Sequence, residues 1–329
     1  MRTSKLLFVT LLLLLSLTIV FNGCGKKSDV LTLKLAHGLD IHHPVHKAME
    51  YMAQKAFEKS GGKLKIDIYP NEQLGNEKET LEKLQLGAID MTKVSSSMLE
   101  NFIDEYKVYA LPYLFRDDEH KWKVFNGPIG KEILASGEKQ NLKGLIYYDA
   151  GARSFYTKNK PILKPDDLKG LKIRTQQSPM AIKMVRAMGG SATPIAWGEL
   201  YTALQSGVVD GAENNPPSLY TSNHYEVCKY YSLDEHTMVP DVVLINTKRW
   251  NSMPDSMKII LKEAAEESVP YQRKLWKEFV DDCMQKMQAA GLQVFYPDKA
   301  PFKEKSRTLW QEFEGTKIGE LAKRIEEVQ

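Results

Sequence analysis

Hydrophobic and polar positions alternate with two distinct periods along this chain. Leu31, Leu33 and Leu35 are interleaved with Thr32 and Lys34, the period-two pattern of a half-buried strand over 31–36. From Pro44 the period lengthens: Val45, Met49, Met52, Ala53, Ala56 and Phe57 fall on one helical face, and Pro44 suits a first helical turn. Gly61-Gly62 stops that helix, and Leu64, Ile66 and Ile68 alternate again. A helix over 77–86 and a strand over 89–94 complete β-α-β-α-β, the order of an α/β unit with largely parallel strands. The same order restarts with strands at 144–149 and 171–175 and helices at 179–188 and 198–205. A short strand is expected at 208–210, opening into a turn-rich stretch from Gly211 to Pro217, and another strand at 241–246. Residues 254–290 are helical in composition almost throughout. A continuous helix of that length is about 50 Å long, more than one small lobe needs, so it is expected to lie across two, with Pro270 as the place for a kink. A further surface helical segment is expected over 302–328. The expected architecture is α/β, a hinged two-lobed clamshell, with lobe I formed by 31–150 plus 240–279 and lobe II by 151–239 plus 280–329.

The start of the chain changes the cellular setting. Arg2 and Lys5 precede an apolar stretch over 6–20 that ends at Asn22-Gly23-Cys24, which makes 1–23 a secretory signal. The apolar stretch is short against the ~20 residues of a membrane-spanning helix. A cysteine at this junction resembles the bacterial lipoprotein box, so Cys24 is the expected lipidated N-terminus and 24–30 a polar tether to the membrane. Ordinary signal cleavage is the alternative, since Phe21 stands where Leu is usual. Without the leader, 43 Lys and Arg face 42 Asp and Glu, a balance that does not point to nucleic acid. Cys228 and Cys283 are the only other cysteines. One bridge or two separate buried thiols both fit, and neither makes a disulfide scaffold.

Enzyme signatures fail one by one: no G-x-S-x-G, no G-x-x-x-x-G-K-[ST], no G-x-G-x-x-G, no H-E-x-x-H and no C-x-x-C. Neither a catalytic residue nor a cofactor is expected. His37, His42, His43 and His46 crowd one strand-to-helix region, and with Glu50 they offer a zinc-binding receptor as an alternative; helix-entry polarity explains them as well without a closed ligand set. Glu199, Asp210 and Glu213 are the carboxylates a secreted sugar-acid-active enzyme would use, although helix-end and turn chemistry account for Glu199 and Asp210.

A stronger constellation is Arg153, Arg174 and Asn214. Arg174 ends the apolar run Leu171-Lys172-Ile173, and ligands of open α/β sheets sit beyond the carboxyl ends of strands. A guanidinium there can present two parallel N–H donors to one carboxylate. A single loop arginine usually makes a surface salt bridge; two arginines and a turn-held amide at neighbouring strand ends favour an anion site.

At these residues the chain resembles the substrate-binding proteins of tripartite ATP-independent periplasmic (TRAP) transporters. The resemblance is carried by Tyr69-Pro70-Asn71-Glu72-Gln73-Leu74-Gly75, Leu86-Gly87-Ala88-Ile89-Asp90, Ala110-Leu111-Pro112-Tyr113-Leu114-Phe115 and Asp167-Leu168-Lys169-Gly170-Leu171-Lys172-Ile173-Arg174. It continues through the run from Gly198 to Gly207 and through Val209-Asp210-Gly211-Ala212-Glu213-Asn214-Asn215-Pro216. It implies a periplasmic-binding-protein-like clamshell that closes on an organic acid and hands it to a membrane permease. By the same resemblance Arg174 clamps the carboxylate, Arg153 is a second anion-facing arginine and Asn214 completes the grip. Asn215 stands where several relatives have proline, which leaves open which of the two amides faces the ligand. Trp197 falls where relatives place an aromatic beside the ligand, with core packing against Ile195 and Leu200 as the alternative. Glu77 and Ser95 match ligand-facing places, and His37 lies near another. A dicarboxylate would want a second cation at its far end, whereas Glu77, Ser95 and the histidines suit hydroxyl groups. The pattern also resembles the hexuronate-binding branch through His37, His43, His46 and Glu213-Asn214-Asn215-Pro216-Pro217. A sugar acid such as glucuronate or galacturonate is therefore expected, with a C4-dicarboxylate or other organic acid as the alternative.

Overall fold

The computed structural model describes residues 30–329, so the leader, Cys24 and most of the expected tether lie outside the described residues. The alternating segments form eleven strands: β1 (Leu31–Ala36), β2 (Leu64–Tyr69), β3 (Met91–Ser95), β4 (Leu142–Tyr148), β5 (Arg153–Thr157), β6 (Lys172–Thr175), β7 (Ser191–Pro194), β8 (Gly211–Asn214), β9 (Tyr230–Thr237), β10 (Asp241–Asn246) and β11 (Gln293–Phe295). They make two sheets, ordered β2-β1-β3-β10-β4 and β11-β9-β5-β8-β6-β7. In the first sheet β1 and β3 are parallel, and β10 runs antiparallel to both of its neighbours. In the second, β6 is parallel to β7 and β8, and β5 is antiparallel to β8 and β9.

The chain passes between the sheets at 149–152 and again at 238–240, and the helix Asp255–Ala289 links them a third time. This helix runs unbroken for 35 residues, about 50 Å, with Pro270 inside it. It packs on the helix Pro44–Lys59 and on β4, and further along on the helix Pro216–Thr221. Contacts on both sides of Pro270 hold it: Tyr148 Oη lies 2.6 Å from Ser268 Oγ, and Gln272 exchanges two 2.9 Å hydrogen bonds with the Asp149 backbone. The first crossing is thus pinned to the long helix. At Gly151 the backbone is left-handed (φ 58°), and an added Cβ would meet the Trp276 ring at 3.0 Å.

Apolar clusters fill the interior among the described residues. The largest lies on the first sheet and includes Tyr109, Phe115, Phe125 and Tyr147; the Phe125 and Tyr147 rings stack at 4.7 Å. Two more pack around the second sheet. Cys228 and Cys283 are buried in one of these as separate thiols. The terminal segment divides between the sheets. Phe302 and Leu309 pack in the second-sheet core, and Ile318, Leu321 and Ile325 of the helix Lys317–Glu326 pack in the first-sheet cluster.

One strand also falls elsewhere than its hydrophobicity suggests. Val208 is exposed, and β8 begins only at Gly211. Asp210 takes up the edge, its N–H donating to Lys172 O (2.8 Å) and its Oδ2 accepting from Lys172 N (2.8 Å). Pairing with β5 then draws the polar run Gly211–Asn214 into the sheet, tertiary context overriding local propensity. No helix among the described residues is long and apolar enough to cross a membrane.

Candidate ligand-binding site

Between the two sheets lies a cleft whose non-atom space, open solvent at its mouth included, is about 700 Å³. The second sheet supplies its cationic wall. Arg174, on β6, is buried; its Nε donates to Ile195 O at 2.9 Å, and its guanidinium lies 5.6 Å from the Trp197 ring centre. Among the described residues neither terminal nitrogen has a protein partner, and Nη1 is fully buried. Burial pulls the Arg174 pKa down, as expected of a cation removed from water without a counter-ion.

Arg153, at the start of β5, is placed differently. Its Nε meets Glu213 Oε2 at 2.5 Å, Nη2 reaches Glu213 Oε1 at 2.9 Å and Glu213 O at 2.7 Å, and Nη1 donates to Asn214 Oδ1 at 2.9 Å. It lines the cleft, yet its charge is committed to Glu213. Burial works to raise the Glu213 pKa, but Arg153 and His236 overwhelm it and bring it to about 2. His236 sits between Asp234 (2.8 Å) and Glu213 (3.4 Å); burial opposes its charge, and the two carboxylates lift its pKa to about 9. Arg153, Glu213, His236 and Asp234 form a closed, buried charge network behind the wall.

The two asparagines separate cleanly. Asn214 Oδ1 accepts from Arg153 and from Asn215 N–H (2.9 Å), and among the described residues its amide nitrogen has no protein partner. Asn215 is consumed: Nδ2 donates to Ala150 O (2.9 Å), and Oδ1 caps the helix Pro216–Thr221 through Ser218 N–H (2.8 Å). Trp197 lines the cleft and also packs, partly buried, against the second-sheet core beside Ile195 and Leu200.

The first sheet supplies the facing wall. Glu77 opens the helix Glu77–Leu86, and its Oε1 accepts from Ser95 N–H at 2.9 Å. Ser95 ends β3, and its Oγ caps the next helical turn through Ser97 N–H at 3.4 Å. Burial raises the Glu77 pKa, against the pull of Lys93. His37 does not line the cleft. It stands behind the wall, with Nε2 2.9 Å from His46 Nδ1 and Nδ1 accepting from Leu39 N–H. His43 is likewise buried, and burial drops its pKa to about 3. Among the described residues no group of three or more His, Cys, Asp or Glu side chains is arranged to hold a metal ion.

Three charged lining residues were not among the expected site residues. Lys93, on β3, is buried with Nζ 3.2 Å from Asp241 Oδ1 and 3.6 Å from Glu77 Oε1. A second cation therefore does face the arginines, but two carboxylates flank it. Asp241 opens β10, opposite Ser95 in the register. Glu72 reaches in from the loop after β2, and its Oε1 is buried without a partner.

A two-sheet α/β molecule with an enclosed cleft, free guanidinium donors on one wall and paired polar groups on the other is a solute-binding protein. The chain matches the model of the bacterial extracellular solute-binding protein family 7 (DctP) over residues 35–316 and belongs to that family. A TRAP periplasmic solute-binding protein from Xanthobacter autotrophicus Py2, solved with bound β-D-galacturonate, superposes with a TM-score of 0.88 at 41% identity, covering 90% of this chain and 100% of that one. Its counterpart from Anaerococcus prevotii, solved with α/β-D-glucuronate, gives 0.88 at 39% identity, covering 90% and 97%. The C4-dicarboxylate-binding periplasmic protein DctP of Rhodobacter capsulatus is 32% identical over 299 residues, 91% of this chain and 88% of that protein.

Proposed function

We propose that the protein is an extracytoplasmic receptor for a hexuronate, glucuronate or galacturonate, which it delivers to a TRAP membrane permease. The observation that carries this reading is the asymmetry of the cleft. Arg174 offers unpaired N–H donors on one wall, while Glu77, Lys93 and Asp241 face it as one cation between two carboxylates. A carboxylate docks on the first wall. A second carboxylate on the facing wall would meet Glu77 and Asp241, whereas sugar hydroxyls can donate to those acids and accept from Lys93. The uronates bound in the two solved relatives support the same choice.

In this account Arg174 and the Asn214 amide hold the carboxylate, and Arg153 positions Asn214. Trp197 flanks the ring, Glu77, Ser95, Lys93 and Asp241 read its hydroxyls, and Asn215 and His37 support the walls. Lobe I comprises 31–150 plus 240–279, joined by the helix Lys317–Glu326. Lobe II comprises 151–239 with most of the remaining C-terminal part, and the crossings at 149–152 and 238–240 act as hinges. Cys24 carries the lipid anchor after export. Binding proceeds without chemical change to the solute. A thermal-shift screen of the mature chain across uronates, aldonates, dicarboxylates and keto acids tests the ligand class. A uronate at 1,000 times its Kd should add about 4 kcal/mol of stability, and a dicarboxylate giving the largest shift would overturn the assignment. Product formation from oligouronides would overturn the purely binding role.

A further inference from the structure

Glu72 lies in a loop held by backbone hydrogen bonds to the segment after β1. Asn71 and Glu72 are both left-handed (φ 53° and 56°), an uncommon conformation for residues with a Cβ. Backbone bonds from Asn71 N to Leu39 O and from Glu72 N to His37 O, each 3.1 Å, tie the loop to the segment after β1. Strain of this kind persists only where the surroundings over-determine it, and it concentrates at ligand clamps. From this loop the side chain crosses to the other sheet. Its Oε2 lies against the Gly198 backbone, and the amide there opposes the rise in pKa that burial imposes. A Cβ on Gly198 would collide with Oε2, so glycine is what lets the carboxylate approach. The other oxygen, Oε1, is buried in the cleft wall with no partner among the described residues. A buried carboxylate oxygen left unpaired is costly, so the site is incomplete without a donor.

The position of this contact gives it a role. Glu72, Gly38, Leu39 and Trp197 line the enclosed cleft and also a more open outer depression that contains Gly198, Tyr201 and His224. The Glu72–Gly198 pair therefore stands between the ligand space and the outside, bridging the two sheets at the mouth.

We propose that Glu72 is a mouth latch that also reads the ligand: one carboxylate oxygen holds the Gly198 amide across the cleft, and the other accepts a hydroxyl of the bound acid. Closing the mouth and recognising that hydroxyl are then one event. An acid lacking the hydroxyl leaves Oε1 unpaired in the closed form and is held less long. The inference rests on the receptor reading above.

Two variants separate the halves of the latch. Glu72→Gln keeps an oxygen for Gly198 but turns a donor toward the hydroxyl; Gly198→Ala keeps the carboxylate but blocks its approach. Affinity is measured by calorimetry with D-glucuronate and D-galacturonate, dissociation by stopped-flow fluorescence of Trp197. Closure is followed as the distance between spin labels at Leu86→Cys and Val208→Cys, both exposed, in a chain that carries Cys24→Ser, with Cys228 and Cys283 buried. Expected are a loss of affinity of roughly tenfold or more in E72Q and, in G198A, dissociation at least several-fold faster with an incompletely closed distance at saturation. Wild-type affinity in E72Q refutes the reading half, and wild-type dissociation and closure in G198A refute the latch half. If the parent chain binds neither uronate, the proposed function falls and this inference with it; if it binds and both variants match it, the inference alone falls.

Discussion

Replacing Arg174 by methionine should weaken ligand binding strongly while leaving the empty protein intact, because the two roles of this side chain separate in the structure. Among the described residues its only hydrogen bond is Nε to Ile195 O at 2.9 Å, and its Nη1 is buried with no partner. A guanidinium in that position gains little from the protein and is penalised by desolvation, as its lowered pKa records. Methionine fills comparable space beside Trp197 and removes the buried charge, at the cost of one unmet carbonyl. The stability of the ligand-free chain should therefore change by less than about 2 kcal/mol in either direction. Binding loses both charge-assisted bonds to the carboxylate. Truncating one partner of a buried, hydrogen-bonded ion pair costs about 2–5 kcal/mol, or roughly 30- to 5,000-fold in Kd. Urea titration without ligand and calorimetry with the uronate give the two numbers independently. Wild-type affinity in Arg174→Met would refute the clamp, and a collapse of ligand-free stability would show that the arginine is structural.

Other consequences follow from the buried charges. His236, raised to about 9, contributes stability that is fully present below its unfolded pKa near 6.5 and is lost as pH rises through 9. His43 and His224, lowered to about 3, act in the opposite sense: their contribution is intact above 6.5 and declines as pH falls towards 3. Melting temperature should peak near pH 6.5, and His236→Gln should flatten the alkaline side of that profile only. Glu213→Gln strips Arg153 of its counter-charge and should destabilise the protein by about 3–5 kcal/mol in denaturant titrations, with Arg153→Met added to Glu213→Gln restoring part of the loss. Lys93→Met leaves Glu77 and Asp241 on the same wall without the cation between them and should weaken uronate binding at least tenfold by calorimetry, without conferring succinate binding.

What the sequence made legible follows from the range of the interactions. Strands β1 to β3, the helix from Pro44 and the long helix are specified by local periodicity, and they fall where alternation and helical spacing put them. Arg174 was readable because it ends an apolar strand before a polar loop. Lys93 was not: on Met91-Thr92-Lys93-Val94 it looks like the outward member of an alternating strand, and its partner Asp241 is 148 residues away. Arg153 was legible as a cation near the site but not as one spoken for, because Glu213 lies 60 residues on. Gly211–Asn214 has the composition of a turn and becomes a strand only through β5. The left-handed backbone at Asn71 and Glu72 left no mark beyond a turn-like Pro-Asn pair.

The central claim is that the cleft reads one carboxylate and a set of hydroxyls. Isothermal titration of the mature chain with D-glucuronate, D-galacturonate and succinate under one set of conditions tests it most directly. The account predicts that at least one uronate binds with a Kd of about 1 µM or below, roughly tenfold or more tighter than succinate. Succinate binding as tightly as either uronate, or no heat from both uronates, would contradict it.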